Sequence, residues 1–250
     1  ALDTAEGTST KIATAMRMHE QYSYVFASSP AYQADLAKGF HCPEDIVRIY
    51  PLPRVDILTD ASYKQEMRKK LYQRYPILKE KQVILYVPTF RKKETMMQTY
   101  VDKLCDALYD DQILVVKRHP LSKLTIHNPH VLVDTSFTSF DMLFVADAVI
   151  SDYSCIIYEA ALLNIPLYFY NFDMQNYTGK RGLAIDYENE LPGVISKDPK
   201  VIIDSIEKEP YDMDELQRFC KKYVVYDGNT SLHIADFILN LMKEGNDAHE

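Results

Sequence analysis

Long apolar runs are absent from this 250-residue sequence. The most apolar stretch, residues 155–170, is interrupted by Glu159, Asn164 and Pro166, so it does not read as a membrane span. Glycine is scarce, with 7 residues against 12 prolines, which leaves few special turns. No G-x-G-x-x-G, no G-x-x-x-x-G-K-[ST] and no G-x-S-x-G occurs, which excludes the usual dinucleotide fingerprint, the P-loop and the nucleophile elbow. The four cysteines, Cys42, Cys105, Cys155 and Cys220, are scattered without C-x-x-C or zinc spacing and read as reduced thiols. A global excess of positive charge is also lacking. The formal net charge is −8, so no field surrounds the chain that would draw it to nucleic acid or an anionic membrane.

What is present is a large apolar fraction, 47%, enough for a sizeable core. Short runs rich in β-branched and aromatic residues alternate with helical patterns. Strands are predicted at 24–27, 46–50, 83–87, 113–117, 131–133, 148–150 and 167–170. Helices are predicted at 30–38, 62–74, 100–109, 140–146, 154–163, 199–208, 213–223 and 231–243. Strands apolar along their whole length, separated by helices, predict an α/β fold with a Rossmann-like parallel sheet covered on both faces. Ligands of such sheets bind beyond the carboxyl ends of the strands.

Polar residues do follow the strands. Pro88-Thr89-Phe90-Arg91 follows the strand at 83–87, and Lys117-Arg118-His119-Pro120 the one at 113–117. Ser151-Asp152-Tyr153-Ser154-Cys155 and Asn171-Phe172-Asp173 follow the next two. Ser154 is placed to cap a helix whose free N–H groups and dipole suit an anion; an ordinary N-cap is the plainer reading. Glu159 can accept from ribose hydroxyls, or be an ordinary paired glutamate. His119 can relay a proton or stabilise departing phosphate, or serve the fold alone. Arg91 offers a planar fork for phosphate, or is one surface arginine among many. His127 and His130 suggest no third ligand, so no metal site is expected.

In their order along the chain, Thr89-Phe90-Arg91, Lys117-Arg118-His119-Pro120, Ser151-Asp152-Tyr153-Ser154, Asp173, Tyr177, Arg181-Gly182, Asp186-Tyr187-Glu188 and Tyr226-Asp227-Gly228-Asn229-Thr230-Ser231 resemble the CDP-glycerol glycerophosphotransferase family of teichoic acid synthesis. The resemblance implies the C-terminal, donor-binding half of a GT-B-type enzyme. It also implies transfer of glycerol phosphate or ribitol phosphate from CDP-glycerol or CDP-ribitol to a polyol-phosphate or lipid-linked glycan acceptor, with release of CMP. By motif, His119 is implied to be catalytic. Arg91, Lys117, Ser154, Cys155 and Arg181 are implied to hold the donor phosphates, and Glu159, Pro88 and Thr89 the nucleoside. Ser151, Asp152, Asp173 and Ser231 complete the rim. No cofactor, no metal and no nucleic acid is expected.

Residues 1–22 are expected to be a helical remnant of an inter-domain connection, and 23–250 a single donor-binding domain. An N-terminal domain of the same protein is the implied partner, carrying a second histidine in a Trp-His motif. The location implied is cytoplasmic, peripheral at the inner face of the membrane. Two departures from the family pattern stand out. Cys155 replaces a serine, and Lys92-Lys93 stand where acidic residues are common. A nucleotide-sugar glycosyltransferase and a non-catalytic binding module are the rival readings.

Overall fold

The computed structural model describes residues 19, 21–89, 94–118, 122, 125–174 and 185–247. The expected N-terminal helical segment, 1–22, lies almost wholly outside these residues. The chain divides into two compact units. One comprises the described residues up to Asp60 together with those from Lys221 onward; the other comprises the described residues between Ala61 and Cys220. The single domain expected over 23–250 is thus divided, and its strands fall into two separate sheets.

In the first unit, β1 (Val25–Ala27) pairs in parallel with β2 (Val47–Ile49) across α1 (Gln33–Phe40). Val25, Ala27, Ala37 and Val47 form a small core between them. A short helix that the sequence reading missed, α2 (Arg54–Thr59), begins behind Pro51 and Pro53, where a fixed φ favours a helix start.

The second unit opens with α3 (Ala61–Arg74), then β3 (Gln82–Val87), α4 (Glu94–Asp106), β4 (Gln112–Val116), β5 (Val131–Val133), α5 (Ser139–Leu143), β6 (Ala148–Ser151), α6 (Ile156–Leu162), β7 (Leu167–Tyr170), β8 (Ile195–Ser196), α7 (Pro199–Lys208) and α8 (Met213–Tyr223). The last residues of α8 belong to the first unit, which α9 (Thr230–Asp247) completes. Helix α4 begins six residues before the expected 100–109. Its buried stripe of Met97, Val101, Leu104 and Cys105 starts earlier than the predicted boundary. Strand β8 has two residues, too few for any periodicity to show.

Six strands form one all-parallel sheet in the order β5-β4-β3-β6-β7-β8. Counted from β3, this is 3-2-1-4-5-6, the doubly wound order, whose direction reverses between β3 and β6. Side chains alternate across the sheet. Ile84, Tyr86, Leu114, Val116, Ile150 and Tyr170 meet Val101 and Leu104 of α4 and Ile202 and Ile203 of α7. The alternate residues, among them Leu85, Val115, Val149 and Phe169, are equally buried and face α5 and α6. Each fully buried side chain of this size contributes about 1.5–3 kcal/mol, so both faces must be covered.

Local chemistry fixes the helix ends. Thr138 and Asp141 form a reciprocal capping box on α5, with Asp141 N–H donating to Thr138 Oγ1 at 3.1 Å and Thr138 N–H to Asp141 Oδ2 at 2.8 Å. Gly193 precedes β8 with φ +86°, and a Cβ there would lie 2.2 Å from the carbonyl oxygen of Leu167, so only glycine fits. Helix α9 is capped from a distance. Asp56 of α2 accepts from the N–H groups of Thr230 (3.1 Å) and Ser231 (2.8 Å) and from Ser231 Oγ (2.6 Å). Partial burial works against this carboxylate, but the Ser231 and Thr230 bonds outweigh it and hold its pKa below the usual range. Ser231, expected on the nucleotide rim, therefore belongs to the first unit and is bound to Asp56.

The Asp56→Ala variant is expected to lose about 1–2 kcal/mol near neutral pH, read as a lower urea midpoint. A depressed carboxylate stabilises above its unfolded pKa and stops doing so as pH falls through its folded value. The gap between wild type and variant should therefore close in acid.

Candidate functional site

The doubly wound order places a crevice at the carboxyl ends of β3 and β6, where their flanking helices diverge to opposite faces. Val87 is in register with Ser151, so Pro88-Thr89 and Asp152–Cys155 leave the sheet side by side. Asp152, 1% exposed, joins the two exits. Its carboxylate accepts from Thr89 N–H at 3.0 Å to each oxygen, from Thr89 Oγ1 at 2.7 Å and from Tyr153 N–H at 2.6 Å. Its carbonyl accepts from the Tyr187 hydroxyl at 2.9 Å. Charge-assisted bonds of this kind are among the stronger ones in a protein.

The rest of the rim is built on this tie. The Tyr153 ring lies 5.5 Å from that of Tyr187, and its hydroxyl donates to Asp173 Oδ1, beyond β7, at 3.4 Å. Ser151, Asp152, Ser154, Cys155, Thr89 and Asp173 are thus brought to one end of the sheet, as the sequence predicts. Tyr153 and Tyr187 lie within the motifs that carry the family resemblance, which implies no role for either. Their hydroxyls hold the rim together, a job that spacing alone does not reveal.

Several expected roles change. Thr89 gives both its N–H and its hydroxyl hydrogen to Asp152, and Pro88 is buried, so both help to build the rim. Lys117 does not reach the rim. It is 8% exposed, and its ammonium donates to Asp134 Oδ2 (2.6 Å), the Asp134 carbonyl (3.1 Å) and the Phe137 carbonyl. Those three acceptors match its three N–H groups, which leaves none for a donor phosphate. Asp134 also accepts from the Tyr75 hydroxyl and the N–H groups of Ser136 and Phe137. Burial opposes its charge, but Lys117 and these donors hold its pKa below the usual range.

Helix α6 starts one residue later than expected for a Ser154 cap. Cys155 occupies the cap position without a side-chain bond, and Ser154 Oγ accepts from Ile156 N–H only at a long 3.5 Å. Glu159 is 3% exposed, set into the helix packing and already engaged within the protein, not presented on an open face. Ser151 Oγ is fully buried and has no hydrogen-bond partner among the described residues, a cost of about 1–3 kcal/mol. Arg91, His119 and Arg181 lie outside the described residues, as do Tyr177 and Gly182. Among the described residues no three metal-ligating side chains cluster. No helix among them is long and apolar enough to cross a membrane.

A doubly wound sheet takes its ligands, as a general rule, at this switch point beyond the carboxyl ends of its strands. The family described as CDP-Glycerol:Poly(glycerophosphate) glycerophosphotransferase matches residues 1–240, and the chain belongs to that family. It is 32% identical to the teichoic acid poly(ribitol-phosphate) polymerase of Bacillus spizizenii over 234 residues, 88% of this chain and 38% of that protein. It is 30% identical to the teichoic acid glycerol-phosphate primase of Bacillus subtilis over 243 residues, 94% of this chain and 62% of that protein. The chain therefore spans between about two fifths and three fifths of these relatives' lengths. Among solved structures, the wall teichoic acid polymerase TagF superposes with a TM-score of 0.76 at 22% identity, covering 96% of this chain and 63% of that one. A UDP-GlcNAc 2-epimerase from Neisseria meningitidis gives 0.58 at 19% identity, over 87% and 62%. These superpositions establish a shared fold.

Two substitutions separate construction from ligand contact. Lys117→Met strands the Asp134 carboxylate and should cost about 3–5 kcal/mol in urea unfolding. A loss below about 1 kcal/mol would return Lys117 to the ligand-binding set. Ser151→Ala removes an unpartnered buried hydroxyl and should leave the urea midpoint unchanged or raised.

Proposed function

We propose that this chain provides the donor side of a CDP-alcohol phosphotransferase. In this reading, glycerol phosphate or ribitol phosphate passes from its CDP-linked donor to a polyol-phosphate or lipid-linked glycan acceptor of wall-polymer type, and CMP leaves. The observation that carries the reading is the switch-point crevice, fixed by Asp152, in a chain whose family match runs from residue 1 to 240. It is supported by relatives named as teichoic acid primases and polymerases and by TagF structures soaked with CDPG.

Chemically, an acceptor hydroxyl attacks the β-phosphorus in line. The new phosphoester bond forms as the bond to the CMP oxygen breaks, and the hydroxyl proton passes to a base. Such transfers depend on positioning and charge neutralisation more than on covalent help. The turn at Ser154-Cys155 and the start of α6 are assigned to the pyrophosphate. His119, Arg91 and Arg181 are assigned to the leaving side through the family resemblance; Glu159, which the resemblance gives to the ribose, is buried and already engaged within the protein. An N-terminal domain of the same protein supplies the acceptor side in this reading. Catalysis then takes place at the cytoplasmic face of the membrane, with peripheral contact.

Calorimetry of the chain with CDP-glycerol, CDP-ribitol and UDP-GlcNAc tests the donor assignment. A cytidine donor should bind at least tenfold tighter than the UDP-sugar, and the absence of that preference would refute the proposal. In the full-length protein, His119→Ala should abolish turnover while leaving donor binding within about threefold. Undiminished turnover would favour the non-catalytic module.

A further inference from the structure

The charge of this chain is unevenly distributed. Residues 61–81 hold seven Lys/Arg, namely Lys64, Arg68, Lys69, Lys70, Arg74, Lys79 and Lys81, against two acids, Glu66 and Glu80, within a chain of net charge −8. All seven cations are exposed or half-buried. Helix α3 places Lys64 with Arg68, and Lys70 with Arg74, one turn apart. Like charges at that spacing repel and weaken a helix. The one acid on α3, Glu66, is already paired with Lys70. An anionic ligand would relieve the remaining repulsion.

The surface beside this helix is concave. Two adjoining hollows of about 370 and 260 Å³ share Arg68, Ala146 and Asp147. Lys79, Lys81 and Tyr72 line the first, and Lys64 lines the second. Residues 79–81 and 145–147 lead into β3 and β6, so this groove lies at the amino edge of the sheet, the end opposite the switch-point crevice. Among the described residues Asp147 is the one acid on its walls, and it accepts from the Val83 N–H at 2.8 Å.

Part of the cationic lining is fixed in advance. Arg68 donates to the Phe144 carbonyl at 2.7 Å and to the Tyr72 hydroxyl at 2.9 Å. Its guanidinium and the Lys79 ammonium each lie 5.4 Å from the Tyr72 ring centroid. Ring and carbonyl hold these charges in place, which lowers the ordering cost of binding.

We infer that this groove binds a linear phosphodiester polyanion, the polyol-phosphate chain itself, at the end of the sheet remote from the donor site. A groove of spaced cations suits a string of spaced phosphates. A membrane surface fits less well, because a peripheral anchor also inserts apolar side chains. The described residues of this unit expose only Ile77 and Val201 among large hydrophobics. The polymer's identity rests on the proposed function, whereas the groove does not.

Titration of a fluorescent poly(glycerol phosphate) oligomer with the chain, followed by anisotropy, tests the inference. Phosphatidylglycerol vesicles and a single-stranded RNA of equal charge serve as alternative ligands, and CDP-glycerol calorimetry is run on the same samples. Saturable oligomer binding that weakens as salt rises is expected. Lys64→Glu/Lys79→Glu should weaken it at least tenfold, with the melting temperature and CDP-glycerol affinity retained. No saturable binding, or equal binding by the variant, would overturn the groove. Tighter binding to vesicles or RNA would overturn the polymer assignment. Oligomer binding without any cytidine preference would refute the donor proposal and leave the groove standing.

Discussion

One carboxylate holds the candidate site in shape. In a doubly wound sheet the strands on either side of the switch point feed helices that move apart, so nothing in the strand pairing holds their exits together. Asp152 supplies that connection. It gathers four hydrogen-bond contacts from Thr89 and Tyr153 in a position closed to water, where each is stronger than at the surface. Tyr187 then holds the Asp152 carbonyl and Tyr153 reaches Asp173, so the ends of β3, β6 and β7 form one rim. The geometry of any ligand bound there follows from this arrangement.

A second buried charge organises the neighbouring strand. Lys117 and Asp134 saturate each other with help from Tyr75, Ser136 and Phe137. Burying an ion pair gains little stability relative to apolar packing, but leaving half of one is expensive. The pair therefore fixes conformation more than it adds stability. It anchors the end of β4 to the segment that follows β5, next to the Arg118-His119 sequence on which the family resemblance places catalysis.

Much of this was legible in the sequence. Apolar strands alternating with helices gave the parallel sheet, because burial on both faces leaves no polar alternation. The strand-end rule places Thr89, Ser151, Asp152, Ser154 and Asp173 at one end of the sheet, where the structure has them. What could not be read was direction. Thr89 and Lys117 stand at strand ends, yet both turn to internal carboxylates, since a pattern of residue types does not say where a side chain points. Ser231 was placed on the rim by motif, but its partner Asp56 lies 175 residues earlier in the chain. The division at Asp60 was also hidden, because β1 and β2 look in sequence like two more strands of the same sheet.

Cys155 differs from the other cysteines in its accessibility. Of the chain's four thiols it is the exposed one, Cys105 being buried and Cys42 and Cys220 partly so. It stands at the first turn of α6, on the edge of the crevice. The protein thus carries a native attachment point for a maleimide dye or spin label beside the place where a nucleotide is expected. Occupancy of the crevice can be followed from that single sulfur, without introducing any new residue.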